Sequence, residues 1–72
     1  MHEEKGEVHE YWLIPYAHDK RRKQRSEDYE KTYRLTDYEA NKMNYAYGLN
    51  GVRHRLVRTD SHLAKDLIKN VS

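Results

Sequence analysis

A chain of 72 residues makes one domain, and at this length folding buries only about 60% of the surface that the unfolded chain exposes, which leaves room for a single small core. Charged and hydrophobic residues are each 36%, phenylalanine is absent, and bulk comes from seven tyrosines and Trp12, whose polar atoms need water or a bonding partner at the core edge. The absence of cysteine excludes disulfides and thiolate metal sites, and a net charge of +2 is too small to define a partner before its distribution is known. So lean a core gains from self-association or from a bound partner, which makes a homo-oligomer one expectation.

Residues 1–7, Met-His-Glu-Glu-Lys-Gly-Glu, are polar and read as a flexible N-terminus without signal-peptide character. Residues 8–72 are then the single domain. The longest mainly apolar run, Tyr11 to Ala17, falls well short of the roughly 20 residues a bilayer span requires. No membrane partner is expected, and the chain reads as a soluble, cytoplasmic protein.

From Val8 to Ala17 the chain alternates as a strand. Val8, Trp12, Ile14 and Tyr16 share one side and His9, Tyr11, Leu13 and Ala17 the other, and both sides are apolar enough for a central position. Pro15 weakens regular pairing near its end. Next, Lys20, Arg21, Arg22, Lys23 and Arg25 place five cations in six positions, a run that repels itself and reads as an extended, mobile hairpin loop. A second strand follows over Tyr29 to Leu35, where Tyr29, Lys31, Tyr33 and Leu35 alternate with Glu30, Thr32 and Arg34, although Glu27 to Lys31 also suits a helical turn.

Thr36 and Glu39 then form a capping box, with Asp37 and Glu39 placing negative charge at a helix start. Ala40, Met43 and Tyr47 recur at helical spacing until Gly48 or Asn50-Gly51 ends the run. Val52 to Thr59 reads as a third strand, with Val52, His54 and Leu56 facing inward and Arg53 and Arg55 on a wet, basic side. Asp60 or Ser61 caps a last amphipathic helix carrying Leu63, Ala64, Leu67, Ile68 and Val71. The β-β-α-β-α order predicts an α+β fold. In it a three-stranded antiparallel or mixed sheet, ordered 2-1-3, packs against one central helix, and the short C-terminal helix is added last.

Two surfaces are candidates for binding. The loop cations Lys20, Arg21, Arg22, Lys23 and Arg25, joined by Arg53, Arg55 and Arg58, suit phosphates or carboxylates, with Tyr11 or Tyr16 as stacking platforms. If Arg34, Tyr11, Arg53 and Arg55 share a sheet face, that face is a nucleic-acid surface. The plainer explanation is a solvated loop and a charged edge strand that discourages sheet-to-sheet pairing. Tyr38 and Tyr45, seven apart on the helix, project away from Ala40 and Met43, and exposed tyrosine beside arginine is typical of protein interfaces. Tyrosine as core filler is the competing account.

His2, His9, His18, His54 and His62 lack the short paired spacing of a zinc site, so no metal or other cofactor is expected. His54 with Asp60 and Ser61, or His18 with Asp19, can be drawn as acid-base pairs, but so short a chain offers little room for a water-excluding pocket, and His54 reads as a core residue. No catalytic residues are assigned, and the expectation is that the protein is not an enzyme.

The segment Tyr33-Arg34-Leu35-Thr36-Asp37-Tyr38-Glu39-Ala40-Asn41-Lys42, followed by a helix end and a glycine turn into a strand, resembles a strand-to-helix pattern of small phage and prophage accessory proteins, Y-x-L-T-x-x-E-A-x-K. The likeness spans residues 31–58. This chain departs from the pattern in its asparagine- and tyrosine-rich helix and its long basic loop. The resemblance implies a class of protein that binds and inhibits or redirects a host or defence protein, and it transfers no functional residues. The expectation is therefore a non-catalytic binding protein for a partner with an acidic surface. Nucleic-acid binding through the basic loop and strand is the alternative.

Overall fold

Antiparallel pairing on both sides makes the first strand, β1 (Val8–Pro15), the centre of a three-stranded sheet. The computed structural model describes residues 6–19 and 21–71; the expected flexible terminus falls outside the described residues over 1–5, as does Lys20. Along the chain come a 3-10 turn (Ser26–Tyr29), β2 (Tyr33–Thr36), helix α1 (Asp37–Leu49), β3 (His54–Arg58) and helix α2 (His62–Ile68). The strand order is β2-β1-β3, the order and α+β class expected. No helix among the described residues is long and apolar enough to cross a membrane.

Register decides which residues share a layer. Leu13 sits opposite Leu56 and Tyr11 opposite Tyr33, so Tyr11, Leu13, Leu35 and Leu56 line one face and pack with Ala40, Met43 and Tyr47 of α1. Trp12 sits opposite Val57, and the other face gathers Ile14, Ala17, Val57, Ala64 and Leu67 with Trp12 and Tyr29, under α2 and the 3-10 turn. Ile14 is wholly enclosed at 0% exposure. With the middle of both faces covered, no open sheet face carries Tyr11 together with the arginines. Arg34 pairs with Glu10 and Arg55 with Ile14, which puts both on the side opposite Tyr11. His54, expected in the core, is exposed, because β3 buries its middle, Leu56 and Val57, rather than its start.

The helix ends form as their caps dictate. Thr36 Oγ1 accepts from the Glu39 N–H at 3.2 Å while Glu39 Oε1 accepts from the Thr36 N–H at 3.0 Å. Two amides that α1 leaves unmade are thus satisfied. At the other end Gly51 takes φ 71, a left-handed value that glycine adopts without a Cβ penalty, and the chain turns into β3. Ser61 Oγ accepts from the Ala64 N–H at 3.2 Å and starts α2.

Two stretches differ from expectation. β2 begins only at Tyr33, because Tyr29 packs edge-on against Trp12, centroids 4.7 Å apart at 85°, and this draws residues 26–29 onto the α2 face as a helical turn. The basic loop is tied to the C-terminal segment at one point, Gln24. Gln24 is 2% exposed, its N–H donates to the Asn70 carbonyl at 3.2 Å, and it forms a parallel bridge with Val71. The chain's last described residues thereby clasp the middle of the cationic run.

Candidate binding site at the Tyr16 end of the sheet

β1 stops at Pro15, and the next residue, Tyr16, takes φ 55. For a bulky side chain this left-handed conformation costs about 1–2 kcal/mol. The Tyr16 N–H still donates to the Arg53 carbonyl at 2.8 Å, so the change of direction is fixed from β3. Two consequences follow. Ala17 swings to the Ile14 side of the sheet instead of the Tyr11 side, and the Tyr16 ring is left 37% exposed at the end of the molecule where the basic loop returns.

The loop cations converge on that ring. The Arg22 guanidinium lies 4.0 Å from its centroid and that of Arg53 lies 5.9 Å away, both within reach of its negative face. An open groove of about 610 Å³ runs beside it, lined by Tyr16, His18, Asp19, Arg21, Gly51, Val52 and Arg53. A second hollow shares Tyr16 and brings in Arg22, Lys23 and Arg25. The structure thus gathers Arg21, Arg22, Lys23, Arg25, Arg53 and Tyr16 from the sequence candidates around one point.

Not all of their charge is available. Asp19 accepts from the Arg21 N–H at 3.0 Å and lies 3.5 Å from its guanidinium; these bonds hold its carboxyl below the usual carboxylate range. Among the described residues His18 forms no hydrogen bond or ion pair with Asp19, so that acid-base pair is not assembled. Arg25 is 3.5 Å from Glu27. Among the described residues Arg22, Lys23 and Arg53 form no ion pair, so their charge is open to a partner.

The remaining candidates lie elsewhere. Arg58 donates to both carboxylate oxygens of Asp60, at 3.0 and 2.8 Å, a bidentate pair that spends its charge internally. Asp60 also stands beyond the far end of β3 from His54, so that imagined pair is not assembled either. Arg55 lines a separate depression with Arg58, Asn44 and Leu63. Tyr11, expected as a stacking platform, is 5% exposed and donates its hydroxyl to Asp37 at 2.7 Å. Burial first, and that bond second, push its phenol up to about 12. Tyr38 and Tyr45 are exposed at 58% and 70% and form with Leu49 an outward stripe on α1.

Among the described residues no group of three or more His, Asp or Glu side chains is placed to hold a metal ion. Sequence reasoning missed Gly51 and Val52 as groove residues. The available signal was a glycine turn followed by an apolar residue directly before Arg53. No protein-family model matches the chain, and comparison with curated proteins and with solved structures returns no match.

Proposed function

We propose that this chain is a non-catalytic binding module that engages an acidic protein surface through the cationic end around Tyr16. The observation that carries this reading is Tyr16 itself. Its backbone turns through a costly conformation (φ 55) that seats Ala17 in the core and leaves the ring outside between Arg22 and Arg53, and strained residues of this kind cluster at binding sites. Arginine and tyrosine together are also the residues most enriched where protein interfaces concentrate their energy. The resemblance of Tyr33–Lys42 to small phage accessory proteins supports a role in binding and inhibiting or redirecting a host or defence protein. The tyrosine stripe on α1 supplies a second patch of interface character.

The nucleic-acid alternative has less support. Tyr11, the expected stacking platform, is enclosed on the side of the sheet opposite Arg34 and Arg55, and Arg58 is committed to Asp60. Only the loop cations and Tyr16 remain for it.

Passing nuclease-treated material from the native host over the immobilised chain tests the reading. The control is the variant with Lys20, Arg21, Arg22, Lys23 and Arg25 changed to glutamine. A defined acidic protein retained by the wild type, released by salt and not held by the variant is the expected result. Affinity for random-sequence DNA or RNA that falls steeply with salt, without such a protein, would transfer the surface to phosphates.

A further inference from the structure

The groove beside Tyr16 is more than a charged patch, because its lining joins the apolar surface of Gly51, Val52 and the Tyr16 ring to the cations Arg21 and Arg53. A Cβ built on Gly51 meets nothing within 4 Å, so the space beside it is open. Val52 next to it shows 41% of its surface. Around them stand His18, Arg21 and Arg53, and the Arg21 side chain is 93% exposed. Asp19, the one carboxylate on the lining among the described residues, is already bonded by Arg21. A volume of about 610 Å³ suits a side chain with a short length of backbone.

Few ligands satisfy both features. A phosphate backbone meets the arginines but has nothing aliphatic to set on Val52. A flat acidic surface reaches the arginines and leaves Val52 wet. An extended peptide with an aliphatic side chain between carboxylates fills both.

We propose, on the reading that the partner is an acidic protein, that this groove takes a short extended acidic segment of it. One aliphatic side chain lies on Val52 beside Gly51, and flanking carboxylates meet Arg53 and the terminal guanidinium nitrogens of Arg21, whose pair with Asp19 runs through Nε. The aliphatic group gives the contact its position, because exposed ion pairs alone contribute little and tolerate many geometries. The arginines supply the preference for acidic sequence and the rate of encounter.

The test is an amide NMR titration of the isotope-labelled chain with three probes: the peptide Glu-Glu-Leu-Glu-Glu, the peptide Glu-Glu-Ser-Glu-Glu, and an oligothymidylate. Expected are saturable shifts at Gly51, Val52 and Arg53 with the leucine peptide, and binding about tenfold weaker or less with the serine peptide, since the buried leucine is missing. The Val52→Asp variant, altered at an exposed position, keeps a folded spectrum and loses the response. Equal responses to the two peptides, or none in the groove, overturn the groove assignment while leaving the acidic-protein reading in place. Tighter binding of the oligothymidylate than of either peptide overturns both.

Discussion

The side chain of Asn44 occupies the place of a strand neighbour to Leu56. Its Oδ1 accepts from the Leu56 N–H at 2.8 Å and its Nδ2 donates to the Leu56 carbonyl at 3.2 Å. β3 is an edge strand, and Leu56 is one of the residues whose backbone groups point away from β1. Unpaired groups on an edge invite another strand. A single amide on α1 closes the middle of that edge and ties helix to sheet.

Replacing Asn44 with alanine removes both bonds and leaves the Leu56 groups partly buried and unmade, a loss of about 1–3 kcal/mol. Urea denaturation followed by circular dichroism measures it, and sedimentation reports any self-association of the opened edge. An unchanged midpoint together with a monomeric variant would mean that water replaces the amide without cost.

Thr36→Ala deletes the hydroxyl that accepts the Glu39 N–H and lowers stability by about 1 kcal/mol. The same denaturation experiment detects it. Thr36→Ser, which keeps the oxygen, recovers most of the loss if the cap is the cause.

Tyr29→Phe is expected to be neutral or stabilising. Among the described residues the buried Tyr29 hydroxyl has no hydrogen-bond partner, and phenylalanine keeps the edge-on contact with Trp12 while removing an unsatisfied group worth about 1 kcal/mol or more. A clear drop in melting temperature would show that the hydroxyl is satisfied in solution.

Stability falls in strong alkali for a related reason. Burial raises the phenols of Tyr11 and Tyr29 from 10.0 to about 12 in the folded chain, so between those values the unfolded state has released protons that the native state keeps. Unfolding then becomes easier as pH rises. The contribution is complete below about pH 10 and is lost towards about pH 12. Melting temperatures across this interval check it, and Tyr11→Phe removes its share of the slope. A flat profile would contradict the burial of both phenols.

Local signals in the chain carried the parts of this fold whose causes are local. Thr36 with Glu39 marks the start of α1, Ser61 the start of α2, and the two apolar sides of Val8 to Pro15 mark a strand enclosed on both faces. What escaped depends on contacts across the sequence. The Trp12 stack shortens β2 by drawing Tyr29 away, a bridge joins Gln24 of the basic loop to Val71, and the Arg53 carbonyl fixes Tyr16 in a conformation no propensity favours. The candidate site was legible as a list of cations. That five of them meet at Tyr16, while Arg58 and Tyr11 are consumed by Asp60 and Asp37, follows only from how loop, strands and helix are brought together.

Photo-crosslinking from position 16 tests the central claim most directly. A photoreactive phenylalanine derivative replaces Tyr16 in one version of the chain and Tyr38 in another, and each is irradiated in nuclease-treated material from the native host. The account predicts that an acidic protein is captured from position 16, and that neutralising Arg22 and Arg53 abolishes the capture. Capture from position 38 alone, or of nucleic acid when nuclease is omitted and of nothing when it is present, would contradict it.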